Sequence, residues 1–166
     1  RLTPLAGLSR DCATNRGGVK AIYLADHDDV ASLTESNGVI SAITMETGKK
    51  FYKYELRPQV AALAITPTVD AANGIAFVTS VLTAAFARMD AAKRVEVQSM
   101  LLGNLAVVVE DNNGTKWYLG HDNPVEMTGG DAGTGQSYSD ANQYSVELTD
   151  VSNEYPMTFT GTVPTT

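Results

Sequence analysis

The apolar positions of this chain fall mostly in short runs separated by turn-forming residues, a pattern that predicts strands. Val19-Lys20-Ala21-Ile22-Tyr23-Leu24-Ala25 is the first run, rich in β-formers and ended by the cluster Asp26-His27-Asp28-Asp29. Asn37-Gly38 precedes the second, Val39 to Met45, in which Ile43 and Met45 keep the alternation that starts at Val39. Thr47-Gly48 makes the next break.

Two long stretches follow, Lys50–Thr66 and Ile75–Arg88, on either side of the turn-rich segment Pro67–Gly74. Together they predict a long central hairpin. A short helix over Gln59–Ile65 is the rival reading, since Ala and Leu favour it. Strand is preferred because Val, Thr and Phe dominate the partner stretch. With period two, Phe77, Thr79, Val81, Thr83 and Ala85 share one face and Val78, Ser80, Leu82, Ala84 and Phe86 the other. Both stretches run well past the roughly five to six residues usual for a strand, and long hairpins expose edges that invite pairing.

One helix is predicted, Ala91–Leu102, with Asp90 as N-cap and Gly103 at the left-handed position after its end. Val95 and Leu102 define its apolar stripe, widened by Met100 and Leu101, while Lys93, Arg94 and Glu96 face water. Leu105–Glu110 and Lys116–Leu119 then flank Asp111-Asn112-Asn113-Gly114-Thr115, a hairpin signal because Asn-Gly tolerates positive φ. Residues 120–137 read as a long Gly-rich loop. Tyr144–Thr149 and Met157–Thr160, joined by a turn at Ser152-Asn153-Glu154, close the sheet. The organisation predicted is an irregular arm over residues 1–17 and a single β-rich domain over 18–166, with its helix at about 90–102.

Composition narrows the class of protein. At 166 residues, 43% hydrophobic and 19% charged, the chain can bury a core and is not a disordered polyampholyte. No apolar run approaches the roughly 18–20 residues that cross a bilayer, no secretory signal is visible at Arg1-Leu2-Thr3-Pro4-Leu5, and no membrane partner is expected. The formal charge is −7, and the 12 basic residues are scattered rather than clustered, which argues against gripping nucleic acid. A surface past which DNA must slide is, by contrast, expected to be acidic. Cys12 is the single cysteine, so no internal disulfide forms and a reducing cytoplasm is expected as the folding compartment.

Each candidate for chemistry has a plainer reading. Asp26, His27, Asp28 and Asp29 carry cation-ligand atoms but read as a solvated turn. His121 and Asp122 have the make-up of an acid–base pair, without a nucleophile motif beside them. Asp111-Asn112-Asn113-Gly114 lacks the distal acidic ligand of a calcium loop. Gly129–Gly135 lacks the Gly-Lys-Ser/Thr ending of a phosphate cradle. Trp117 and Tyr118 can be read as a stacking platform for sugars or bases, or as core residues of a strand. Cys12 would need a positioned histidine to act as a nucleophile. The expectation is a protein that is not an enzyme, with no catalytic or metal residues and no cofactor.

The element order in Ile75–Arg88, Asp90–Leu102, Leu105–Gly114 and Lys116–Gly120, with the close Asn142–Thr149, resembles structural proteins of tailed bacteriophages. It is similar to tail-tube proteins and their relatives in contractile injection and secretion systems. The resemblance implies a β-sandwich or barrel with one flanking helix, and subunits that form hexameric rings stacked into a tube. It implies that long hairpins of neighbouring copies join into an inner β-barrel through which DNA passes. Carried onto this chain, Lys50–Thr66 and Ile75–Arg88 line the channel and Ala91–Leu102 lies outside it. The expected partners are copies of itself and other tail or neck proteins, and the expected location is the virion, assembled in the host cytoplasm. A neck or head–tail connector ring, a capsid decoration protein and a glycan- or receptor-binding sandwich stand as alternatives.

Overall fold

The computed structural model of the protein describes residues 5–166, and two β-sheets with one α-helix make up its architecture. The chain order is β1 (Val19–Asp26), β2 (Val30–Ser36), β3 (Val39–Met45), β4 (Tyr52–Glu55), β5 (Ala62–Asp70), β6 (Ile75–Ala87), α1 (Ala91–Met100), β7 (Leu105–Asp111), β8 (Lys116–Leu119), β9 (Glu126–Gly133), β10 (Gln143–Ser152) and β11 (Met157–Phe159). The larger sheet has the order β2-β3-β11-β8-β7-β1-β4, and the smaller β5-β6-β10-β9. Neither sheet closes on itself.

The larger sheet is buried on both faces at its centre, which is why β7 is a nearly continuous apolar run. Val107 and Val109 face the space between the sheets, where Ile22, Leu82, Phe86 and Leu148 meet them. Ala106 and Val108 face a second core on the opposite side, with Ile40, Phe51, Tyr118 and Phe159. The backbone N–H of Phe51 donates to the carbonyl of Pro164, so the C-terminal segment closes over this second core.

Several expectations need correction. Lys50–Thr66 is not one strand: β4 belongs to the larger sheet and β5 to the smaller. Pro58 and Gln59, the latter at φ +64°, break the stretch between them. The hairpin that remains, β5–β6, pairs Asp70 with Ile75 across a tight turn at 71–74, so Pro67 lies within a strand rather than in the turn. Pro67 is tolerated because β5 is an edge strand, where a missing N–H breaks no second ladder. The Gly-rich segment 120–137 is not all loop, since β9 pairs with β10 through most of its length. Val30–Ser36, unassigned in the sequence, is a strand paired with β3.

Asp90 caps α1 as expected, its carboxylate accepting the Lys93 N–H at 2.9 Å. The helix nevertheless ends at Met100, and Leu102, not Gly103, takes the left-handed conformation at φ +57°. Gly103 sits in a tight place, where a Cβ would lie 3.1 Å from the Ser99 carbonyl oxygen. The expected stripe of Val95 and Leu102 is also wrong, since both are exposed and Met100 and Val97 face the core instead. The helix covers one open side of the sandwich, tied to β4 by the Tyr54 hydroxyl donating to Glu96 at 2.5 Å.

Candidate functional site

The outer face of the smaller sheet is a surface of four strands that the cores do not use. The register aligns Ala62, Thr83, Glu147 and Gly129 in one row and Ala64, Val81, Thr149 and Glu126 in the next. Thr66, Thr79 and Val151 follow. Side chains here are small, threonine-rich and open to solvent, with Thr128 and Thr149 joined hydroxyl to hydroxyl at 2.7 Å. None of the four strands contains a lysine or an arginine. Their acids are Asp70, Glu126, Asp131, Glu147 and the inward-facing Asp150. The signal was legible in the sequence: no lysine or arginine occurs between Arg57 and Arg88 or after Lys116. Only the topology shows that strands from these two stretches build one surface.

Both edges of this sheet are open. β5 hydrogen-bonds only to β6, and β9 only to β10. Unpaired N–H and C=O groups along such edges are templates for a further strand.

A polar cluster brings together residues far apart in sequence. His121 Nε2 lies 2.7 Å from Glu35 Oε2, and its Nδ1 3.0 Å from Asp122 Oδ1. Asp122 Oδ2 accepts from the Ser152 hydroxyl at 2.7 Å and from the Asn153 N–H at 3.1 Å. The cluster therefore fastens β2 of the larger sheet to the end of β10 in the smaller. Partial burial pulls the His121 pKa down, but the hydrogen bond with Asp122 and the charge and hydrogen bond of Glu35 outweigh it and raise it. Asp122 is held low by the Ser152 and Asn153 hydrogen bonds and by His121. The arrangement fits a doubly protonated imidazolium donating to two carboxylates. Ser152 donates to Asp122 rather than to His121, so no hydroxyl is paired with a base here.

Because the folded pKa of His121 is raised, its contribution to stability is full below about pH 6.5 and fades as pH rises through the raised value. Asp122, with a lowered pKa, contributes above about pH 4 and loses this as pH falls. His121→Gln should thus destabilise by about 0.5–1 kcal/mol near pH 5.5, and by much less at pH 9. Paired urea titrations at the two pH values measure this, and a pH-independent difference would show that the ring acts only by packing.

Asp150 of β10 is 2% exposed, and its Oδ1 has no hydrogen-bond partner. Burial raises its pKa, against the Gly120 N–H, while the Asp122 charge adds to the rise and His121 opposes it. The Tyr118 phenol is pushed up to about 12 by burial and by the charge of Asp150.

The remaining sequence candidates do not converge. Asp26 accepts from the Asp28 N–H as the cap of a 3-10 turn, and Asp29 pairs with Lys49 at 3.2 Å. Among the described residues no three His, Cys, Asp or Glu side chains are arranged so that they could hold a metal ion. Asp111 accepts from the Asn113 and Thr115 N–H groups, each at 2.9 Å, and holds a turn. Trp117 packs toward the core between the sheets and Tyr118 toward the second core, so the two rings cannot form one platform. Gly129 and Gly130 belong to β9, and Cys12 is exposed on the arm.

No protein-family model matches the chain, and no curated protein matches it.

Proposed function

We propose that the protein is a non-enzymatic structural subunit of a tailed-phage virion, assembling into rings that stack as a tail tube. The observation that carries this reading is the open four-stranded sheet with no lysine or arginine in its strands and an exposed Thr- and Ala-rich face. Its exposed charges are acidic, as a channel wall for DNA requires, since phosphates are repelled rather than held. β4 lies in the other sheet, so the wall is β5, β6, β10 and β9 rather than the whole of Lys50–Thr66.

Strand direction favours ring closure. The pairs β5–β6, β6–β10 and β10–β9 are all antiparallel, so β5 and β9 run in opposite directions. Setting β5 of one copy beside β9 of the next keeps the ladder antiparallel around a ring of any order. Ala62–Thr66 offers the pairing segment, with Pro67 as its stop. Six copies and a continuous inner barrel are what the resemblance to tail-tube proteins implies. A neck ring would use the same wall without stacking.

Native mass measurement and electron microscopy of the purified chain over rising concentration test the proposal. Rings that stack into tubes are expected. A monomer at every concentration, also with tail and neck proteins present, counts decisively against it, and unstacked rings favour the neck.

A further inference from the structure

The arm before β1 exposes apolar side chains that nothing in its own copy covers. Leu5 and Leu8 are 102% and 103% exposed, and every described residue up to Gly18 is exposed. Its root, however, is fixed. The Arg16 N–H donates to Asn113 Oδ1 at 2.9 Å, Asn113 Nδ2 donates to Asn15 Oδ1 at 2.8 Å, and Asn112 Nδ2 donates to the Gly17 carbonyl at 2.7 Å. The β7–β8 turn thus holds the arm where it leaves the body.

That root lies beside one edge of the smaller sheet, since Arg16, Gly17 and Gly18 line a cavity with Ala62, Leu63 and Ile65 of β5. At the opposite edge, a groove of about 350 Å³ runs between α1 and the β9–β10 pair. Val97, Leu101, Met127 and Tyr144 give it apolar walls, and Arg94 and Asp131 line it as well.

We propose that the arm of one copy straps onto the α1–β9 groove of the next copy, with Leu5 and Leu8 as its apolar anchors. This rests on the β5–β9 joint proposed above, which brings the arm root of one copy to the groove of its neighbour. Charge agrees with it. The described arm carries Arg10, Asp11 and Arg16, and the groove is lined by one acid, Asp131, and one base, Arg94. Arg10 and Asp11 can meet Asp131 and Arg94 as opposite pairs. Burying two leucines across a joint adds apolar area that edge pairing alone does not supply.

Cysteine trapping between two full-length variants tests the strap. One carries Ser9→Cys and the other Gln98→Cys, each with Cys12→Ser, and the two are mixed under mild oxidation. The 9–98 disulfide between copies should form at least tenfold faster than a control linking Ser9→Cys to Ser36→Cys on the far hairpin. Adding Leu5→Ser and Leu8→Ser to the arm variant should return the rate to the control level. Equal rates for the two pairs, or no effect of the leucine changes, overturn the strap. A single chain with both Ser9→Cys and Gln98→Cys that closes on itself at high dilution does so too. Rings without the 9–98 link sink the strap and leave the ring reading standing, and linked pairs that never form rings do the reverse.

Discussion

Gly130→Val is expected to abolish the proposed assembly while leaving most of the fold in place. A Cβ at Gly130 would collide with the Ser145 carbonyl oxygen and come within 3.1 Å of the Met127 methyl. The Met127 methyl can swing aside, but the carbonyl cannot, because Ser145 is held in β10 between two partner strands. Backbone strain and overpacking of this kind run to about 1–3 kcal/mol. The load falls on β9, an edge strand held to the sheet by β10 alone, so β9 should peel before the cores open. Amide exchange over Glu126–Gly133 should accelerate at least tenfold, and sizing should return a monomer. Wild-type rings together with freely exchanging β9 amides would contradict the role given to this edge.

Phe51→Ala should produce the largest loss of stability, about 3–5 kcal/mol. Phe51 is 1% exposed, sits in the second core with Ile40, Tyr118 and Val163, and anchors the chain end through Pro164. Upstream the segment is also held by the Thr160 N–H on the Ile40 carbonyl and the Lys116 ammonium on the Gly161 carbonyl, so the loss comes mainly from the cavity and from loosening of the last residues around Val163 and Pro164. Typical domains are stable by about 5–15 kcal/mol, which makes this a large fraction of the total. Phe51→Leu should recover most of it by refilling the volume. Urea unfolding gives the comparison, and a loss below about 1.5 kcal/mol for the alanine variant would mean that the second core is not cooperative with the first.

What the sequence made legible was local. Val19–Ala25, Val39–Met45 and the 105–119 hairpin carry their own β-formers and turn residues, and each is a strand where expected. Asp90 announced its helix through one side chain. β9 was hidden because partners impose it: Gly129 and Gly130 have poor strand propensity, and the pairing with β10 overrides this. β2 was hidden because it is an exposed edge strand, with Val30 and Leu33 alone packed against the second core. Pro58 was visible within Lys50–Thr66 and marks the passage from one sheet to the other.

The candidate surfaces are non-local in the same sense. Glu35 and His121 meet through folding, with no spacing rule to connect them. The face without basic residues is assembled from two stretches on either side of the helix and the β7–β8 hairpin. Composition along the chain could be read, but which stretches become neighbours depends on the order of strands.

That order also sets a time for folding. β11 lies between β3 and β8, so the β2–β3 hairpin has no backbone ladder to the rest of the larger sheet until Met157–Phe159 joins. During translation the second core therefore stays open until residue 159 has left the ribosome, however early the first strands emerge. A chain cut short would display Ile40, Val108 and Tyr118 to chaperones and proteases. Synthesis itself thereby acts as a length check, passing only chains long enough to seal the second core.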